Sequence, residues 1–287
     1  MEKNIKGIIQ IIHGMCEYKK RYIHFIKYFE KSGWKVEILD HIHHGENVRN
    51  KEEIGIFKND FNDMIENQIN FTKELKKKYK NLPFIIFGHS MGSFIAQEHM
   101  KRCGSLVDGY IFCGSCYKQK FLWSFGEKLS YLLDRIYKNK RANIIRKMIF
   151  LNSNGKIKKE YYLNENSWLS RDIDEVKKYS QDKNCGFTYS SSFYKEFFIF
   201  LNRLYDEDKF DNILKGKPIF IISGSMDPVG LYGKGVKDLK KFYEKMDFKN
   251  IAFKLYKDAR HELHNEINRD EVFRDIENWI EKIICKN

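Results

Sequence analysis

The order of apolar segments predicts an α/β chain whose mostly parallel sheet is flanked by helices. Three observations carry this reading. Short apolar runs of strand type alternate with longer segments of helical period, the pattern left by crossover units. A G-x-S-x-G pentapeptide sits at one strand-to-helix joint. From residue 115 to residue 208 the strand pattern stops, and an aromatic helical stretch takes its place.

The elements follow in order. Ile8 to Ile12 reads as the first strand and ends at His13-Gly14. Tyr22, Ile26 and Phe29 share one helical face, which stops near Gly33. Val36 to Leu39 is the second strand, closed by Asp40. Ile54, Phe57, Phe61, Ile65, Ile69, Thr72 and Leu75 recur at helical steps and predict one long helix. Pro83 introduces a strand over Phe84 to Phe87, a helix follows Ser90, and Tyr110 to Phe112 is the next strand. Phe121, Trp123, Phe125, Leu129, Leu132, Leu133 and Ile136 give a helical pattern inside the strand-free stretch. Pro218 then introduces the strand Ile219 to Ile222. Val236, Leu239, Phe242 and Met246 mark a helix, Ile251 to Tyr256 a strand, and Val272, Ile276, Trp279 and Ile283 a last helix. The organisation is a core of residues 1–114 and 209–287 with a helical insertion over 115–208.

Composition excludes several classes. With 42% hydrophobic and 15% aromatic residues, the 287-residue chain has the apolar surface that disordered proteins lack. No apolar run approaches the about 18–20 residues that cross a bilayer. Gly7 to Ile12 is too short and wrongly flanked for a signal peptide, so the chain is expected in the cytoplasm. The formal charge is +13, from 52 basic and 39 acidic side chains. The lysines are spread along the chain, and their densest run, Lys73 to Lys80, lies on an amphipathic helix. Without a recognition-helix, zinc-finger or RNA-binding motif, nucleic acid is not an expected partner. The remaining functional use of the charge is peripheral contact with an anionic membrane surface. The six cysteines are expected to be reduced. Cys113-Gly-Ser-Cys116 follows a strand instead of opening a thioredoxin-like helix, which argues against redox chemistry. His41, His43 and His44 lack a second ligand group at metal spacing. No metal or organic cofactor is expected.

Gly88-His89-Ser90-Met91-Gly92 lies between the strand Phe84 to Phe87 and a helix. That placement makes it a nucleophile elbow. The turn is sharp, its flanking positions must be small, and the serine is forced outward at a helix N-terminus. A serine hydroxyl needs a base and an orienting carboxylate to attack at neutral pH. Asp227 follows the strand Ile219 to Ile222, and His261 follows the strand Ile251 to Tyr256. Both stand at carboxyl ends of strands, where a parallel sheet presents functional loops. His264 is the nearest rival base, on the approach to the last helix. The oxyanion needs two N–H donors. Met91, after the nucleophile, supplies one, and Met15, in the loop after the first strand, supplies the other.

The chain resembles the monoacylglycerol lipase and lysophospholipase branch of the α/β hydrolases, often grouped with the serine aminopeptidases. The matching pieces are His13-Gly-Met-Cys-Glu17 with Arg21-Tyr22, Asp40-His41, Gly88 to Gly92, Trp168-Leu-Ser-Arg-Asp172, Cys185-Gly-Phe187, Asp227-Pro-Val-Gly230, and Ala259-Arg-His261-Glu262 with Asn265-Glu266. The resemblance implies catalytic roles for Ser90, Asp227 and His261 and oxyanion roles for Met15 and Met91. It implies that the insertion is a cap over an acyl pocket. Two departures stand out. The family's Asp-His-Arg-Gly-His-Gly loop reads Asp40-His-Ile-His-His-Gly45 here. The family's N-terminal β-hairpin has no counterpart before Gly7, so the expectation is either a sheet trimmed to about six parallel strands or a protein that begins further upstream.

The leading functional expectation is a serine esterase acting on a small lipid-like ester, a monoacylglycerol or lysophospholipid. Phe121, Trp123 and Phe125 either line the acyl pocket or pack the cap onto the core. A second reading keeps the triad and changes the substrate to a peptide N-terminus or a thioester. An aminopeptidase would need an acidic group from the cap, and Glu160, Glu165, Asp172, Asp174 and Glu175 are available. A third reading is a non-catalytic binding protein on the same fold.

Overall fold

The computed structural model describes residues 5–48, 50–57, 60–137, 140–211 and 213–285. Six strands, Gly7–Ile12 (β1), Trp34–Ile38 (β2), Phe84–His89 (β3), Gly109–Cys113 (β4), Ile219–Gly224 (β5) and Ile251–Tyr256 (β6), form one sheet. Their order is β2-β1-β3-β4-β5-β6, and every pairing is parallel. The described sheet therefore has the six parallel strands that the sequence led us to expect. β1, β3, β4 and β5 are buried along their whole length, which is why they read as apolar runs, broken in β1 by the buried Gln10.

Alternate residues of these strands feed two cores. Ile9, Ile11, Ile85, Phe87, Ile111 and Ile222 pack against Ile23–Lys31 (α1) and the last helix, which contribute Phe25, Phe29, Phe273 and Ile276. Ile8, Ile12, Ile86, Phe112 and Ile221 face Phe61–Lys78 (α2), Met91–Cys103 (α3) and a later helix through Met64, Ile65, Ile95, Val236 and Leu239.

Between β4 and β5 the described residues form helices and turns, with one isolated bridge between Arg141 and Ser190. The helices are Lys120–Tyr137 (α4), Asn143–Ile149 (α5), Ile173–Gln181 (α6) and Ser191–Leu204 (α7). Phe193, Phe197 and Leu201 of α7 join the core on the α2 and α3 side of the sheet. Lys234–Lys245 (α8) and Arg269–Ile284 (α9) complete the chain.

One predicted element is shorter than expected. The apolar period from Ile54 suggested a single helix, but α2 starts at Phe61, behind Asp60, whose side chain caps the Asn62 N–H at 2.9 Å. Gly55 has φ +71°, which breaks helical winding, and its N–H bonds the His43 carbonyl at 3.0 Å. Ile54 and Phe57 are nonetheless buried. A packed loop has met the same burial requirement that a helix would have met.

Candidate active site

β1 and β3 are neighbours, with Ile12 opposite Gly88, so the loops leaving them emerge side by side. β2 lies beyond β1, and β4 to β6 lie beyond β3. Strand order thus reverses at this joint, and the crevice at such a switch point is where open parallel sheets bind ligands.

Ser90 fills the single step between β3 and α3. Its backbone has φ 53° and ψ −121°, a conformation that costs on the order of 1–3 kcal/mol and persists only where its surroundings impose it. Here its N–H bonds the Cys113 carbonyl of β4 at 2.9 Å, and its carbonyl accepts from the Ser93 N–H and hydroxyl at 2.8 and 2.6 Å. The turn also presses α3 against β1. A Cβ at Gly92 would stand 2.0 Å from the Ile12 carbonyl oxygen, which explains the glycine.

Asp227 and His261 leave the ends of β5 and β6. Backbone bonds from Ser225 N–H to Tyr256 and from Met226 N–H to Ala259 pin the two loops together, at 2.8 and 2.9 Å. His261 Nδ1–H donates to Asp227 Oδ1 at 2.9 Å. The same carboxylate accepts from the Val229 N–H and the Ser223 hydroxyl, each at 2.9 Å. With Nδ1 committed as donor, neutral His261 keeps Nε2 free to take a proton. Burial disfavours the imidazolium, but the charge and hydrogen bond of Asp227 outweigh it, so the His261 pKa is raised above the ordinary histidine value. The Trp168 and His89 rings lie against His261, with centroids 4.9 and 4.7 Å away. His264 lies elsewhere in function. It is stacked on Tyr22 at 4.3 Å, burial pushes its pKa down to about 3, and among the described residues neither ring nitrogen has a partner. It has no carboxylate to orient it as a base.

The Met15 loop is held from below by histidines. His13 Nδ1–H donates to the Gly14 carbonyl at 2.9 Å, and its Nε2 accepts the His41 N–H at 2.9 Å. His41 Nε2–H returns to the His13 carbonyl at 2.9 Å. Asp40 accepts the Lys19 and Glu46 N–H groups at 2.7 and 3.0 Å and so closes the Asp40 to Gly45 loop. His43, where the family pattern has glycine, takes φ 63°. That is the left-handed region, which glycine adopts more readily than histidine. Among the described residues, neither the Met15 nor the Met91 N–H has a protein acceptor. Met91 is the first residue of α3, so its N–H has no intrahelical partner.

Ser90, Met15, Met91 and His261 all line one cavity of about 430 Å³. Phe94, Trp123, Met148, Phe197, Phe198 and Leu201 make most of the surrounding wall apolar. Its carboxyl groups are Glu17 and Glu262. Glu17 Oε1 accepts from the Gly14 N–H and from the Tyr22 hydroxyl, the latter at 2.7 Å. Burial, reinforced by the Glu262 charge, pushes its pKa up to about 7. Glu262 is held ionised by Arg21, 2.5 Å away, although burial opposes it. The sequence contains these residues in matching pieces, but their roles depend on contacts between distant segments and carry no local pattern.

Two expectations about the pocket need correction. Trp123 lines the cavity and is 5% exposed, whereas Phe121 and Phe125 are 91% and 59% exposed and line none of it. α4 turns Trp123, Gly126 and Ser130 inward, with Leu129 and Leu133 packed beside them, and Phe121 and Phe125 point to solvent. None of the five insertion acids considered for amine binding reaches the cavity either. Glu175 pairs with Arg21, Asp172 with Arg269, Glu165 with Arg146 and Asp174 with Lys177, and Glu160 is exposed.

The family described as serine aminopeptidase, S33, matches residues 3–268 of the chain. A monoglyceride lipase homolog of Monkeypox virus is 24% identical over 281 residues, covering 96% of this chain and 89% of the viral one. A thermostable carboxyl esterase from Bacillus coagulans, solved with glycerol, superposes with a TM-score of 0.89 at 27% identity, covering 99% and 92% of the two chains. A soluble variant of the Saccharomyces cerevisiae monoglyceride lipase shares the fold at TM-score 0.75 and 19% identity, covering 98% and 87%.

Proposed function

Because this chain belongs to the serine aminopeptidase S33 family and is an α/β-hydrolase of lipase and esterase type, we propose that it cleaves monoacylglycerol or lysophospholipid esters through an acyl-enzyme on Ser90. The observation that carries the reading is the strained Ser90 elbow and the Asp227–His261 pair opening onto one largely apolar cavity. Ser90 Oγ attacks the ester carbonyl while His261 Nε2 takes its proton. Asp227 keeps the imidazole in the tautomer that presents Nε2 and stabilises the imidazolium that forms. The Met15 and Met91 N–H groups receive the oxyanion, and each such donor is worth about 10²–10³ in rate. His261 then protonates the leaving alcohol. Water, deprotonated by His261, releases the acid and regenerates Ser90.

Residues 115–208 act as the cap, and residues 1–114 and 209–287 form the catalytic core. The acyl chain lies along Trp123, Phe94 and the α7 residues Phe197 and Phe198. The exposed face of α4 carries Phe121, Leu122, Phe125, Leu132 and Ile136 beside Lys120, Lys128 and Arg135. Leu122 both lines the cavity and is exposed. That mixture of apolar and basic side chains suits peripheral contact with an anionic lipid surface, from which substrate enters. An ester preference over an aminoacyl one is supported by the five insertion acids, which are engaged or placed away from the cavity.

A fluorophosphonate probe tests the nucleophile. Labelling of the wild-type chain and none of Ser90→Ala is expected. An unlabelled wild type, or equal labelling of both, overturns the assignment. On the same preparation, a panel of monoacylglycerol, lysophospholipid, acyl-CoA and aminoacyl substrates ranks the classes, and preference for the aminoacyl compound overturns the lipid reading.

A further inference from the structure

The geometry points to a second function for the cap. We propose that Tyr189 is a positioning residue for the oxyanion hole, its hydroxyl fixing the Met15 N–H through the neighbouring Cys16 amide. The inference rests on the assignment of Met15 as an oxyanion donor.

Met15 lies between two tethered amides. On one side, the Gly14 N–H is held by Glu17. On the other, the Cys16 N–H donates to the Tyr189 hydroxyl at 2.9 Å. Two further bonds tie the same residue to the same cap segment. The Gly186 N–H donates to the Cys16 carbonyl at 3.0 Å, and the Cys16 thiol donates to the Phe187 carbonyl at 3.1 Å. Cys16 needs this grip, because its φ of 58° is one that a side-chain-bearing residue rarely holds unaided. The rest of the 13–17 loop is tied to the core, through His13 to His41 and through Glu17 to Tyr22. At Cys16 the tether is the cap.

The Tyr189 hydroxyl is aimed, not merely present. His44 donates from Nδ1 to the Ile42 carbonyl at 2.9 Å, so its Nε2 is an acceptor, 2.5 Å from the Tyr189 oxygen. Tyr189 must donate to it and turn a lone pair toward Cys16. The chain from Cys16 N–H through Tyr189 to His44 therefore runs in one direction only. The Tyr189 ring is fully buried and stacked on Phe193 at 3.7 Å, while its hydroxyl is placed by the Cys16 and His44 bonds. Movement of the cap segment 186–189 would release Met15 and dissolve half of the oxyanion hole. Cap placement and catalytic competence are coupled by this contact.

The full chain carrying Tyr189→Phe tests the idea on a soluble short-chain ester. A fall in kcat of about 10- to 100-fold is expected, smaller than the about 10²–10³ for outright loss of an oxyanion donor because the Met15 N–H is displaced and not removed. KM should stay within about twofold. The Ki of a trifluoromethyl ketone, whose adduct carries the same oxyanion, should rise by the same factor as kcat falls. Phe193→Leu removes the stacking partner but leaves the hydroxyl chain, so it should lower Tm while sparing kcat and Ki. His44→Leu removes the acceptor that aims the hydroxyl and should give a smaller loss in the same direction; it carries the test if Tyr189→Phe does not fold. Unchanged kcat and Ki in Tyr189→Phe, or equal losses in Phe193→Leu, overturn the proposal. Ser90→Ala separates the two levels. If it retains activity, the acyl-enzyme reading itself fails; if it is inactive while Tyr189→Phe is normal, only the role of Tyr189 fails.

Discussion

At Ser90 the backbone is held where side-chain-bearing residues seldom go, and three hydrogen bonds with a missing Cβ at Gly92 keep it there. The same residue-level logic governs His261. Its pKa is raised because the Asp227 charge outweighs burial. In the proposed role of general base it must be neutral, so kcat/KM should rise with pH through an apparent pKa above about 6.5. In Asp227→Asn, burial acts without the opposing charge. The acidic limb of the pH–rate profile should move to lower pH while the plateau falls by several orders of magnitude, near the 10⁴ known for such triads. A limb that stays in place, measured from kcat/KM on a soluble ester, would show that Asp227 does not set this ionisation. Ser90, Asp227 and His261 were legible in the sequence because each follows a recognisable strand within a few residues. Glu17 was not. Its state is set by burial and by the Glu262 charge, Glu262 being bonded in turn to Arg21 across 241 positions, and no local pattern encodes such a meeting.

Among the elements, α4 separates what periodicity can and cannot deliver. Its helical repeat was plain, but both sides of it carry aromatic and aliphatic residues, so the pattern alone could not say which face turns inward. Packing against α7 decides, putting Trp123 inside and leaving Phe121 and Phe125 out. The consequence is a measurable division of labour. Phe121→Ser with Phe125→Ser should weaken partitioning to phosphatidylcholine vesicles containing phosphatidylglycerol by at least about tenfold, since each phenylalanine contributes on the order of 1.5–3 kcal/mol when fully buried. Hydrolysis of a soluble short-chain ester should be unchanged. Vesicle binding that survives both substitutions in a sedimentation assay would remove this face from the membrane contact. The α2 start shows the opposite limit: burial at Ile54 and Phe57 mimicked helical period, and Gly55 was the one local sign that the winding stops.

For the molecule as a whole, the parallel sheet and its helical insertion could be foreseen because four strands are buried on both faces and read as largely apolar runs. What the sequence hid was the interior beneath the catalytic loops. Of nine histidines, His13, His41, His44, His89, His99 and His264 are buried with pKa values pushed down by burial, four of them to between about 3 and about 4. An unfolded chain would protonate all six near pH 6.5, and the folded chain refuses those protons. Stability is thus fully present above about pH 6.5 and drains away as pH falls. Each refused proton steepens the loss by about 1.4 kcal/mol per pH unit, against a typical total of about 5–15 kcal/mol. Glu17 and His261, with their raised pKa values, work in the opposite direction but are two groups against six. The urea midpoint should fall steeply from pH 7.5 to pH 5, and a flat midpoint over that interval would contradict the linkage. The buried histidines thereby tie the integrity of the fold to near-neutral pH, independently of the pH profile of its chemistry.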